Sequence, residues 1–368
     1  GASNLGADVN STGDQVYGGP VTLSSNNTLT GTQITFNDTV NGAFALDING
    51  NATFNGIVGG TASLGTIDVQ GSTNINAATL TTSGNQIYQS GVVLQTNTTL
   101  NAGNIDFQST VDGNGASETL TANANIDLRG AVGNTNAVGN LSVSGDLEVV
   151  GTGSIVDAGA VTANTATISG QVNAASIAIT NATSLGANVI TSGGAQSYGA
   201  VTLTNNVTLG SGAGTITAAG VTDGAGAFSL NLGSGAQSGK VTFTDNVTVN
   251  ALGTIADNYD IEFQGAANEI TTATTLQNSG QLTLGDNSTD FINFVNGLTA
   301  TAAGGVTIAG SVRTQGTAGI TLGDADTGVS VVQSSSIGDA GTGVIDLGDV
   351  TLADGVSLTV GTGIANTI

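Results

Sequence analysis

The chain has 368 residues, with 58 Gly, one Pro (Pro20), no Cys, His, Met or Trp, and a formal charge of −23 at pH 7. Charged residues make up 8%, against about 25% in ordinary soluble domains, yet no apolar run approaches the roughly 20 residues of a membrane span and Gly shows no collagen period. The missing residue types exclude a Ser–His–Asp triad, a thiol nucleophile and the common His/Cys zinc sites, while 26 acids against Arg129, Lys240 and Arg313 argue against nucleic acid or an anionic membrane as partner.

Gly, Asn, Thr, Ser and Val dominate. That composition is poor in helix formers and rich in residues of pleated strands and tight corners. Residues 1–19 carry only Asp8 and Asp14 as charges, with neither the basic stretch nor the apolar core of a signal peptide. The chain therefore reads as mature, or as a piece of something longer. A nine-residue unit then begins: apolar, any, apolar, two of any kind, Asn, any, Thr, apolar. It reads VTLSSNNTL at 21–29, LDINGNATF at 46–54, VVLQTNTTL at 92–100, VTLTNNVTL at 201–209 and VTFTDNVTV at 241–249. A near copy at 282–290, LTLGDNSTD, ends on Asp290.

Apolar residues two apart, such as Val21 and Leu23, predict a short strand with both side chains inward. The Asn predicts a corner, reached through its tolerance of left-handed φ, and a second strand follows. The segments are too short for hairpins, so the chain bends and continues. A longer repeat aligns 4–23 with 184–203, and its Gln–x–Tyr element recurs as Gln15/Tyr17, Gln86/Tyr88 and Gln196/Tyr198. These tyrosines either cover or bridge coils, or stack on a ligand. The strand–corner pattern persists through 105–113, 141–151, 161–170, 320–328 and 350–361, with no composition shift and no Pro-rich linker. One continuous domain over 1–368 is expected. Its fold class is all-β, a single-stranded parallel β-helix (solenoid) of roughly 15–20 coils, paired in parallel about 4.8 Å apart. Val, Ile, Leu and Phe belong inside, with Thr, Ser and Asn outside.

Candidate site residues are few, and none is catalytic. Asp324 and Asp326, followed by Thr327-Gly328, form the better calcium candidate; Asp286, Asn287 and Asp290 form the weaker one. Calcium takes six to eight oxygens, and neither cluster completes a calcium loop. No other cofactor is implied. Asn26, Asn51, Asn97, Asn206 and Asn246 each open an Asn-x-Thr sequon, a glycosylation acceptor by sequence, although corner and strand preferences produce the same tripeptide. Thr202/Thr204 and Thr242/Thr244 have the alternation of ice-binding faces, but other coils break that register with Asp, Asn or Gly. A uronate-processing enzyme needs cations beside its substrate, and the three here are scattered.

The run TGDQVYGGPVTLSSNNTLTGTQITFNDTVNG at 12–42 resembles the β-strand repeats of bacterial filamentous-haemagglutinin-like and autotransporter-type surface exoproteins. The resemblance implies a right-handed β-helix, export to the cell surface, and adhesion or filament roles. The expected function is therefore that of a non-catalytic extracellular fibrous protein, a surface adhesin or a self-assembling filament or sheath subunit. A carbohydrate-binding or carbohydrate-active β-helix is the alternative. The expected partners are further copies, stacked end to end through termini that carry no Lys, or a cell-surface glycan or protein receptor. Neither nucleic acid nor membrane insertion is expected.

Overall fold

The computed structural model describes residues 1–339 and 341–361. It is all-β, with no helix among the described residues, and its parallel coils stack into a β-solenoid of about 18 turns. The chain forms two compact units, Gly1–Ile179 and Thr180–Ile368.

In the first unit each turn runs over three faces, and strands such as Asn27–Phe36, Leu46–Phe54 and Thr98–Phe107 pass unbroken round a corner from one face to the next. Ser3–Leu5, Val9–Asn10 and Gln15–Tyr17 make the first turn. Val21–Leu23 opens the second, lying parallel on Ser3–Leu5 with Ser3 opposite Val21 and Leu5 opposite Leu23. Partners are 18 residues apart there, 23 at Ala131/Ser154 and 16 at Ala160/Ser176. Successive side chains on a strand point to opposite sides. Parallel pairing in register therefore places like on like. On the second face the inward stack runs Leu29, Ile48, Val69, Tyr88, Phe107, Leu128, Val149, Ile168, and each of these side chains is sealed from water. On the third face Tyr17, Phe36 and Phe54 stack with centroids 5.2 and 5.5 Å apart and interplanar angles of 12° and 5°, the offset geometry aromatic pairs prefer.

In the second unit partners lie 18 residues apart at Thr183/Val201 but 26 at Val221/Val247. The extra residues go into corner loops such as 223–228 and 233–240, which separate the strands Ile216–Thr222, Ser229–Leu232 and Val241–Phe243. One inward stack runs Tyr198, Ala218, Phe243, Phe263, Leu284, Ile308 and Val331, and Leu352 continues its register while 47% exposed. On the same strands the outward positions form a ladder of Ser197, Thr217, Thr242, Glu262, Thr283, Thr307, Ser330 and Thr351.

Glycine is required where coils nearly touch. Gly133 has φ +71° and donates its N–H to the Val111 carbonyl at 2.9 Å, and a Cβ there would run into the Asp157 carbonyl of the next coil.

Candidate functional site

The Gln–x–Tyr element is one bracket made three times, half-buried in its first copy and buried in the other two. Tyr17, Tyr88 and Tyr198 donate their hydroxyls to the Oε1 atoms of Gln15, Gln86 and Gln196 at 2.9, 3.0 and 2.9 Å. Each glutamine Nε2 then donates to two backbone carbonyls. One is on the preceding strand of its own coil (Val9, Leu80, Val189) and one on the following coil (Thr30, Asn101, Gly210), at 2.7–3.3 Å. Gln86 and Gln196 are fully buried, as is Tyr88; Tyr198 is nearly so. Burial pushes the phenols of Tyr88 and Tyr198 far above their ordinary value. These rings are core, so the ligand-stacking alternative does not hold for Tyr88 and Tyr198. A related bracket links Gln237 to Ser211. The glutamine Oε1 accepts the Ser211 N–H at 2.9 Å and its Nε2 donates to the Ser211 hydroxyl at 2.9 Å.

The sequon asparagines all stand exposed at corners. Asn26, Asn51, Asn97, Asn206 and Asn246 use Oδ1 to accept the backbone N–H of the next coil, from Ala45, Ser72, Thr119, Ser229 and Ala267, at 2.8–3.0 Å. Their backbones are not left-handed; among the described residues Ser117 (φ 61°) is the non-glycine exception. The expectation that Asn serves these corners through positive φ is therefore corrected. It serves them by capping a backbone donor one coil away, which strand spacing brings within reach. Asp8, Asp112, Asp223 and Asp260 do the same for Thr28, Thr135, Asn250 and Gln281 at 2.7–2.8 Å. Elsewhere Asn37, Asn55 and Asn76 form an amide ladder, with 2.8 Å from each Nδ2 to the Oδ1 below.

The calcium candidates are engaged within their own turns. Asp324 Oδ1 accepts the N–H groups of Asp326 and Thr327, both at 3.0 Å, and residues 324–326 are exposed. Asp290 is 4% exposed, and its Oδ2 accepts the N–H groups of Asp286 and Asn287 at 3.0 and 2.8 Å. Instead of starting a strand, the Asp that ends the near-copy repeat ties off a loop. Among the described residues no three His, Cys, Asp or Glu side chains come together to hold a metal.

Sequence spacing did not reveal how the charges line up. In register on the second face of the first unit stand Asp47, Asp68, Ile87, Asp106, Asp127 and Glu148. Desolvation, then the charges of Asp68 and Asp8, hold the Asp47 carboxyl above its usual range. The three cations, scattered in sequence, each meet carboxylates. Arg129 Nε lies 2.7 Å from Asp106 and its Nη2 3.3 Å from Asp127. Lys240 pairs with Glu262. Arg313 lies 3.1 Å from Asp339 and 4.5 Å above the Phe291 ring. Burial works to raise Glu262, but hydrogen bonds from Lys240 and Gln264, with the Lys240 charge, outweigh it and hold that carboxyl below its usual value.

Two shallow hollows adjoin on the second unit and share Thr321. One, of about 440 Å³, is lined by Thr301, Thr321, Asp324, Asp346 and Asp349 among others. The other, of about 240 Å³, is lined by Thr275, Asn296, Thr299 and Thr321 among others. The class these features define is a parallel β-solenoid whose polar side chains are spent chiefly on joining coil to coil. Searched against protein-family models, curated proteins and solved structures, the chain matches none.

Proposed function

We propose that the chain is a non-catalytic structural segment of an extracellular surface protein, acting as an adhesin or as a subunit of a surface filament. The observation that supports this reading is the use made of its polar groups. Buried glutamines bracket corners and exposed asparagines cap the next coil, while the lone cations sit on carboxylates. Side chains committed in this way make successive turns mechanically continuous, as in repeat proteins whose stability accumulates through neighbour contacts. In a filament, neighbouring copies would extend the same parallel pairing. The test is immunogold labelling of intact cells with antibody to the purified chain. Label on the envelope supports an adhesin and label on fibres a filament subunit; label confined to the cytoplasm of sectioned cells overturns both.

A second reading, carbohydrate binding, is supported by the adjoining hollows around Thr321, where Thr hydroxyls and the side chains of Asp324, Asp346 and Asp349 line a polar trough. A glycan array with Thr321→Val as control tests it. Binding that survives the substitution counts against that trough.

A further inference from the structure

The sequons and the corner bonds are separable. The corner requires an acceptor oxygen, and Asp supplies it as well as Asn does. Two residues after the bridging aspartates Asp8, Asp112, Asp223 and Asp260 come Asn, Asn, Ala and Glu. Two residues after the bridging asparagines Asn26, Asn51, Asn97, Asn206 and Asn246 comes Thr in every case. Structure adds another, Asn140, whose Oδ1 accepts the Ala160 N–H at 3.0 Å and which has Ser142 two residues on. The corner bond alone explains neither the choice of amide over carboxylate nor the hydroxyl that follows, since bridging Asn41, Asn125 and Asn188 lack one.

The geometry divides each amide in two. At all six positions Oδ1 is held by the next coil while Nδ2 makes no hydrogen bond to the described chain, and the asparagine is exposed. The intervening residue is inward and at most 2% exposed: Asn27, Ala52, Thr98, Leu141, Val207, Val247. The hydroxyl residue thus projects outward beside the asparagine, as alternate positions of an extended chain must. The hydroxyls of Thr28, Thr99, Thr208 and Thr248 make no hydrogen bond within the described chain, so the fold does not use them. In the first unit Asn26, Asn51 and Asn97 fall on the three different corners of the coil.

We propose that these six asparagines are acceptor sites for N-linked glycosylation, a modification that uses the amide atom the fold leaves free. The donor is a sugar activated as a diphosphate ester, nucleotide- or lipid-linked, and the catalyst is a separate transferase. Nδ2 attacks the anomeric carbon, the C–N bond forms as the C–O bond to the diphosphate breaks, the amide proton passes to a base of the transferase, and the diphosphate departs with the electron pair. Oδ1 is untouched, so a glycosylated corner keeps its bond to the next coil. The proposal goes beyond the surface-protein reading and stands or falls separately from it.

The test is peptide mapping by mass spectrometry of the chain purified from its own cells. Sugar-sized mass increments are expected on these asparagines. Thr28→Val, Thr99→Val and Thr208→Val should each abolish the increment on the asparagine two residues before, while amide-exchange protection of Ala45, Thr119 and Ser229 stays as in the unmodified sequence. Asn206→Asp should lose its increment and keep Ser229 protected, because the acceptor oxygen remains. Bare peptides at all six positions overturn the proposal, as do increments that persist after the Thr→Val changes.

Discussion

Replacing Gln196 with Leu probes the bracket that closes a corner in the second unit. The glutamine is fully buried, receives the Tyr198 hydroxyl at 2.9 Å, and donates to Val189 O at 3.1 Å and Gly210 O at 2.8 Å. Leucine matches it in size and removes all three bonds. The Tyr198 hydroxyl, a donor with no water in reach, is then orphaned at about 1–3 kcal/mol, and each lost neutral bond adds about 0.5–1.5 kcal/mol. A cost of ~3–4 kcal/mol is expected. Tyr198→Phe alone strands only Oε1 of a glutamine still tied by its amide, so ~1–2 kcal/mol is expected. In the double variant both ends are apolar, and the cost should fall well below the sum of the singles, giving a coupling energy of ~1–2 kcal/mol. Because long repeat arrays do not unfold in one step, the assay is native-state amide exchange over residues 189–216, with far-ultraviolet circular dichroism to show that the strands remain. If Gln196→Leu leaves exchange there unchanged, or if the double variant is no better than additive, the bracket does not hold the corner.

Three further outcomes follow from the same geometry. Asn206→Ala should cost ~1 kcal/mol, because the Ser229 N–H loses its cap, and Asn206→Asp should cost nearly nothing; native-state amide exchange of the two variants compares them, and equal losses would refute the acceptor role. Phe36→Ala, which empties the middle of the Tyr17–Phe36–Phe54 stack, should cost ~3–5 kcal/mol by the same measurement. Asp47 has a raised folded pKa, so protonation favours the fold: its contribution is fully present below the ordinary 3.8 and is lost as pH rises through the folded value. Asp47→Asn should therefore stabilise the chain by about 0.2–1 kcal/mol at pH 7, where Asp68 stands directly opposite, and not at all at strongly acid pH; a pH series of melting midpoints checks the sign.

Much of the architecture was legible along the chain because it is local. Val-Thr-Leu at 21–23 alternates inward and outward whatever lies above it, and Gly and Asn mark where a three-residue strand must turn. Composition and alternation together thus determined an all-β, parallel, coiled fold with an aliphatic interior. The same local reasoning misassigned the corner asparagines to left-handed backbone, since a side chain that caps a donor about twenty residues away leaves no trace in its own neighbours. Gln86 was visible in the sequence as part of a recurring Gln–x–Tyr element, but only stacking shows it sealed under the next coil with Leu80, Thr82, Tyr88 and Asn101 as its partners. The acidic ladder through Asp106, Asp127 and Glu148 has the same cause. Coil length varies from 16 to 26 residues, and only the paired register decides which side chains stand on one another. What a residue does within three positions of itself was written in the sequence. What it does one turn of the solenoid away was decided by tertiary structure, because there the distance through space is a strand spacing while the distance along the chain is a whole coil.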